Sequence, residues 1–358
     1  MVKRGLENLN RERAFLAKKI GVSVNPWPWP NISACVFTFD VEGTYGGGES
    51  FEGDSKYVPY LARTFEKNGL KSTFNIVGKI ALEYPDIIAE LVKRNQDVAG
   101  HGFSHKFLDD MTIEEQKKDI ADTISAIEEA SNGLRIVGWR SPYATFNKDT
   151  YKLLEEMGFK WTSCWGSSLW GTTPFHPIIA GKKYKLYEIP FDDNHFDAMM
   201  FFFHEAKSKQ VELLWKTHIY QARATLSQYV LLNHPVNFPE DTKRLTIVEN
   251  ILKYALSFKD IWVASCGEIA NRWSLLENIR YTVDWCKSRS KKQLNVSILN
   301  NNNQSINDLS LIIETLEPLK DITIMDESPQ IQINENIIIV KVPLLPPRSE
   351  QTIEITWI

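Results

Sequence analysis

Between residues 33 and 275 short apolar runs alternate with amphipathic segments of helical period, a rhythm that few folds accommodate. "ACVFTFD", "LKSTFNIVG", "DVAGHGFSH" and "IVGWRSPY" each begin as a buried strand, and the last two run straight into polar loops. Between and after them lie "SKYVPYLARTFEKNG", "YPDIIAELVKRNQ", "TIEEQKKDIADTISAIEEASNG" and "NKDTYKLLEEMG". Apolar residues three and four apart, an opening proline and closing glycines mark these as helices. Strands separated by helices of this length require right-handed crossovers, so they predict a parallel sheet. Polar residues recur just after a strand, where parallel sheets and barrels assemble their sites.

After residue 290 the pattern changes. "NVSILNNNNQS", "LSLIIETLEP", "ITIMDES", "QIQINENIIIVKVPLLPP" and "QTIEITWI" are short, β-branched and partly alternating. They predict a small antiparallel, sandwich-like β-domain, with the asparagine run at 300–303 as a hairpin tip. At the other end, residues 1–21 read as a charged amphipathic helix, followed by the extended connector "NPWPWPN". The expected division is therefore 1–30 for helix and connector, 31–288 for the α/β domain and 289–358 for the β-domain. The role of the last is open between packing, dimerisation into a homo-oligomer and glycan binding.

Lysine and arginine number 41 against 45 aspartate and glutamate, with no basic block, which argues against a nucleic-acid partner. No secretory leader and no bilayer-spanning apolar stretch stand out, so the expected location is the cytoplasm. The four cysteines, Cys35, Cys164, Cys266 and Cys286, form no metal-binding or disulfide pattern and read as small buried apolar residues.

Four constellations carry chemistry. In "VFTFDVEG" the acids Asp40 and Glu42 are two apart and project to the same face of a strand end. Carboxylates that close repel unless a cation or a shared proton intervenes. In "AGHGFSHKF" His101 and His105 are four apart, so on a helix-like turn both imidazoles reach one ion. Two histidines and one carboxylate make an open site for zinc or another divalent transition ion. "GWRSPYATF" supplies Arg140 and Tyr143 at a strand end, and "LLNHPVNF" supplies His234. Taken singly, Arg140 reads equally as a surface ion-pair partner, and His234 reads as a hydrogen-bonded structural histidine before a catalyst.

Together, the order D-x-E, H-x3-H, R-x-P-Y and strand-H-P resembles the NodB-type polysaccharide deacetylases, carbohydrate esterase family 4. The resemblance covers roughly residues 33 to 275. It implies a distorted (β/α) barrel and a hydrolase, dependent on a divalent metal such as Zn2+, that removes N-acyl groups from N-acetylated sugars. Carried over by position, Asp40 resembles the catalytic base and His101 and His105 resemble metal ligands. Arg140 resembles the residue that orients the base, the Tyr143 amide an oxyanion donor and His234 the general acid. The common family pattern has two adjacent acids, whereas Val41 separates them here. The chain resembles a subgroup with that spacing, in which Glu42 takes the metal. Asp192 and Asp193 are the candidates for the acid that pairs with His234.

The stretch "WTSCWGSSLWG" offers Trp161, Trp165 and Trp170 as a wall for a sugar ring, with core filling an equal reading for Trp161. His195 and His204 are not read as ligands. A cytoplasmic location favours a precursor, a glycolipid head group or a soluble saccharide as substrate. The alternative enzyme reading is an amidohydrolase acting on a small non-sugar amide such as a cyclic ureide or imide. A non-catalytic carbohydrate-binding protein is the third, opposed by the competent residue at every catalytic position.

Overall fold

The computed structural model describes residues 20–43, 52–167, 172–237, 243–287, 292–315, 323–324, 330–334 and 336–357. Residues 1–19 of the expected N-terminal helix, the glycine run after Gly43 and Trp170 lie outside these. Contacts divide the chain into one unit of Ser33–Asn271 and a second that joins the residues up to Ile32 with those from Arg272 onward.

The larger unit is an α/β barrel-like sheet of eight parallel strands. These are β1 (Ser33–Val41), β2 (Thr73–Ile76), β3 (Asp97–Gly100), β4 (Gly138–Trp139), β5 (Trp161–Thr162), β6 (Tyr187–Glu188), β7 (Gln228–Asn233) and β8 (Ile261–Ala264). The helices are α1 (Glu52–Lys67), α2 (Gly78–Glu83), α3 (Pro85–Lys93), α4 (Ile113–Ala130), α5 (Lys148–Glu156), α6 (Ser208–Ala224), α7 (Lys243–Ser257) and α8 (Cys266–Leu276). Strand β1 is the hub. β7 runs beside it with Gln228–Asn233 opposite Ala34–Phe39, while β8 pairs with its first half and β2 with its last. From β2 the order continues through β3, β4, β5 and β6.

Local chemistry explains the elements. β1 is buried along its whole length, as an apolar strand covered on both faces must be. Phe37 and Phe39 alternate toward α1 and meet Phe65, and Phe39 also stacks on Phe74 of β2. Thr112 caps α4 through a reciprocal capping box with Glu115, and Asn147 caps α5. Gly138 is required by packing: a Cβ there would stand 2.0 Å from the indole of Trp161, which is core and not substrate wall.

The second unit contains two four-stranded sheets around one apolar cluster, the sandwich-like arrangement expected. One sheet orders Ile20–Val24, Ser310–Thr315, Ile337–Lys341 and Ile331–Asn334; the other orders Ile279–Lys287, Lys292–Asn300, Glu350–Trp357 and Thr323–Ile324. Leu294, Val296 and Ile298 of one sheet and Leu311, Ile313 and Val340 of the other belong to the same core. The unit is larger than the expected 289–358. Ile279–Lys287 turns Ile279, Tyr281, Val283 and Trp285 toward the apolar cluster and pairs antiparallel with Lys292–Asn300, so the unit begins before residue 289. Ile20–Val24, read as part of the N-terminal helix and connector, is a strand on Ser310–Thr315. Asn300–Asn303 is not a hairpin tip. It leads from one sheet to the other, and the Asn300 amide donates to the carbonyls of Gln304, Leu345 and Pro346.

Substituting Gly138→Ala should cost roughly 1–3 kcal/mol of stability, the usual range for overpacking a core. Urea unfolding of the variant beside wild type measures it, and an unchanged midpoint would show that the Trp161 contact is not restrictive.

Candidate active site

The sequence-predicted side chains converge at the carboxyl ends of the parallel strands. Asp40 and Glu42 end β1, His101 follows β3, Arg140 follows β4 and His234 follows β7. All five are buried. Register brings Asn75 of β2 directly opposite Asp40.

Asp40 is held through one oxygen. Its Oδ1 accepts from Asn75 Nδ2 at 2.7 Å and from Arg140 Nη1 at 3.1 Å. Arg140 is itself fixed: Nη1 also donates to Thr38 Oγ1 at 2.9 Å, Nε to the Ser163 carbonyl at 2.9 Å and Nη2 to Ser163 Oγ at 2.6 Å. Its guanidinium lies over the Phe191 ring, 4.7 Å away. The remaining oxygen, Asp40 Oδ2, stands 3.7 Å from His101 Nε2.

Glu42 faces the imidazoles. His101 Nδ1 lies 2.9 Å from the Arg140 carbonyl, which can only accept, so Nδ1 carries the proton. The Nε2 of His101 then presents a lone pair at 3.3 Å from Glu42 Oε2. His105 Nε2 lies 2.7 Å from the same oxygen but outside hydrogen-bonding geometry, and neither of its ring nitrogens makes a hydrogen bond among the described residues. Lone pairs that converge in a dry pocket need a cation between them. Edges of 2.7 and 3.3 Å suit an ion bound at about 2.0–2.2 Å to each donor. The Glu42, His101 and His105 donors therefore fit a divalent ion on their own geometry. Burial opposes ionisation of Glu42, yet His234, His101 and His105 hold its carboxyl well below the usual carboxylate range.

The two histidines do not share a helix face. The segment from His101 to Phe107 is irregular, and positive φ values at Gly102 (73°) and His105 (53°) turn the rings toward each other, 5.0 Å apart. Tyr143 and Ala144 also adopt left-handed backbone, with φ of 56° and 55°. The Tyr143 ring stacks on Phe107 at 4.0 Å and lies 4.6 Å from the His105 ring, and both Tyr143 and Phe107 are exposed.

His234 pairs with an acid that sequence reasoning missed. Its Nδ1 lies 2.7 Å from Asp197 Oδ1, its amide donates to Asp197 Oδ2 at 2.7 Å, and Asn237 adds a third bond to that carboxylate. Burial disfavours the imidazolium, but Asp197 and Glu42 push its pKa up to about 10. His234 Nε2 points back to Glu42 Oε1 at 3.7 Å. Asp192, a sequence candidate for this pairing, instead faces His195 and His218. The available cue was burial: Asp197 directly precedes the apolar run "AMMFFF", where only a paired carboxylate is tolerated. Thr38 was also legible, since it sits two residues before Asp40 on the same strand face.

An α/β barrel with this donor set at its strand ends presents a candidate metal site, and comparison with known proteins shows what it resembles. Residues 30–162 match the family model of polysaccharide deacetylases. A peptidoglycan deacetylase from Helicobacter pylori is 25% identical over 126 residues, 33% of this chain and 43% of its own. A Mycobacterium smegmatis structure assigned to the polysaccharide deacetylases superposes with a TM-score of 0.61 at 24% identity, covering 70% of this chain and 93% of that one. Puue allantoinase shares the fold at a TM-score of 0.60 and 17% identity, with the same two coverages. This chain spans less than half the length of the curated relatives it matches. Residues 30–162 are thus similar to polysaccharide deacetylases, and the barrel unit has the fold of the structures it superposes on.

Glu42→Gln and His105→Ala should each hold one zinc fewer per chain than wild type, while Asp40→Asn keeps it. Metal analysis at equilibrium with micromolar free Zn2+ checks this. Loss in Asp40→Asn with retention in Glu42→Gln would move the carboxylate ligand to Asp40.

Proposed function

We propose that the barrel is a metal-dependent amide hydrolase that removes an N-acetyl group from a sugar. The observation that carries this reading is the placement of a braced carboxylate and an acid-backed imidazole beside one buried Glu42–His101–His105 cluster. A divalent ion held there, with zinc the best match to two imidazoles and a carboxylate, would supply an acidified water and polarise the amide carbonyl.

The chain's own groups would do the rest. Asn75 and Arg140 occupy Asp40 Oδ1, so the proton leaving the attacking water has Oδ2 to go to. The paired arrangement also sets direction, because Arg140 cannot turn without losing Ser163 and Thr38. Asp197 fixes the Nδ1–H of His234 and turns Nε2 into the site, where the imidazolium can donate to the departing nitrogen. An amine leaves readily only once protonated, so this donor matters as much as the base. The left-handed Tyr143 is the proposed oxyanion donor through its backbone amide.

The aromatic surroundings favour a saccharide over a cyclic ureide or imide. Tyr143 on Phe107 forms an exposed shelf beside His105, and the half-exposed Trp165 packs against Phe146 and Phe175. Such faces suit pyranose rings, which are broader than a small ureide. Among the described residues no helix is long and apolar enough to cross a membrane.

Assay of the zinc-loaded protein on N-acetyl-sugar oligomers beside cyclic imides should yield acetate from the first and no turnover of the second. Turnover of the imides alone would replace the sugar reading with the ureide one. His234→Asn should lower kcat by about 10^2–10^4-fold, the usual worth of a positioned acid. Asp197→Asn removes the charge that keeps His234 protonated, so the imidazolium loses its proton at lower pH. The alkaline limb of the kcat profile should move acidward by about 1–3 pH units. An unmoved limb would show that His234 is not the titrating acid.

A further inference from the structure

We propose that Asp192, His195 and His218 form a second divalent-cation site, separate from the Glu42 cluster and suited to zinc or a similar transition ion. None of the three has a part in the reaction above, and the sequence reading had set His195 aside.

The three donor atoms lie within 4.8 Å of one another. Asp192 Oδ2 stands 3.1 Å from His218 Nδ1 and 3.2 Å from His195 Nδ1. A tetrahedral ion with bonds near 2.0 Å needs donor edges of about 3.3 Å, so the two measured edges already have the required length. The other oxygen, Oδ1, accepts from the amides of Asn194 and His195 at 3.2 Å each and lies 3.0 Å from His195 Nδ1. The turn thereby fixes the carboxylate with Oδ2 facing His218 and both oxygens within reach of His195 Nδ1. Trp215 of α6 pins the third member by donating from its indole to the His195 carbonyl at 2.6 Å. Asp192 and His218 are buried, and the one-third exposure of the His195 side chain leaves an entry path.

Its position separates it from the active site. The Asp192 amide donates to the Val230 carbonyl, alongside β7, and His218 reaches in from α6 to lie 5.4 Å from the Tyr229 ring. Side chains alternate along β7, so Tyr229 faces opposite to Val230 and Leu232. The cluster thus occupies the helix-covered side of the sheet. Phe191, just before Asp192, lies under Arg140, and Asp197, five residues after it, holds His234. An ion at Asp192 would brace the stretch that carries both contacts, a structural role and not a chemical one.

The experiment is metal counting on the full chain after chelation and equilibration with micromolar free Zn2+. His195→Gln should bind one zinc fewer per chain than wild type with an unchanged far-UV circular dichroism spectrum. The double variant Glu42→Gln/His195→Gln should bind two fewer. Replacing zinc with Co2+ should give a visible absorption band that His195→Gln loses and Glu42→Gln retains. His218→Gln, at a buried position, gives the same loss where it folds; His195→Gln carries the test where it does not. Equal zinc in wild type and His195→Gln would overturn the site and leave a metal-free Asp192 clamp on two imidazoles. Because the comparison is a difference between those two proteins, its outcome does not depend on whether the Glu42 cluster binds metal.

Discussion

Two carboxylates at the end of one buried strand set the terms for everything around them. Asp40 and Glu42 lie within 4.8 Å of each other, together with His234. At that separation their mutual repulsion is roughly 3 kcal/mol for an effective dielectric near 20, and desolvation adds to it. Each acid is met by its own counter-group. Asp40 has a fixed guanidinium and an amide; Glu42 has three imidazoles, two of which offer lone pairs that suit a cation. Because the neutralising groups differ, the acids are chemically distinct despite their shared strand face. One keeps Oδ2 clear of the Asn75 and Arg140 hydrogen bonds, and the other turns Oε2 to two imidazoles.

That difference depends on the sheet. Arg140 reaches Thr38 and Asp40 on β1 and Ser163 just past β5, so one side chain ties together three strand ends. A buried arginine left without these partners would be strongly destabilising, and the network resists any change of register among β1, β4 and β5. Gly138 allows the close approach that places Arg140 there, since β4 and β5 could not come together with a Cβ against Trp161. The placement of Asp40 is a consequence of strand packing.

Much of this was readable in the chain because it obeys short periods. Apolar runs and helical spacing gave the parallel sheet, and alternation put Asp40 and Glu42 on one face. The site residues at strand ends followed from the same pattern. What escaped were features set by backbone turns and by long-range contact. His101 and His105 meet through left-handed residues and not a helix, which spacing alone cannot distinguish. Asp197 was passed over for Asp192 because both lie in "FDDNHFD" and only the folded turn decides which one faces His234. The edge of the β-unit was misread for a related reason. Ile279–Lys287 follows a barrel helix directly, yet its one-sided burial assigns it to the antiparallel sheet, and the Ile20–Val24 strand finds its partner about 290 residues away in the chain.

The stretch from Phe191 to Asp197 connects the two halves of the proposed chemistry. At one end an aromatic face lies against Arg140, which orients the base; at the other a carboxylate fixes the tautomer of the acid. The residues between them turn outward, and Asp192 is gripped by its own turn amides and by two histidines. A loop is ordinarily the least rigid part of such a barrel. Here burial of Asp192 and Asp197 on opposite sides of one short segment means that neither can relax without exposing a charge or abandoning a partner. The pocket can thus hold base and acid at a constant separation although they arise from strands far apart in sequence, and the stiffness comes from paired charges and not from regular secondary structure.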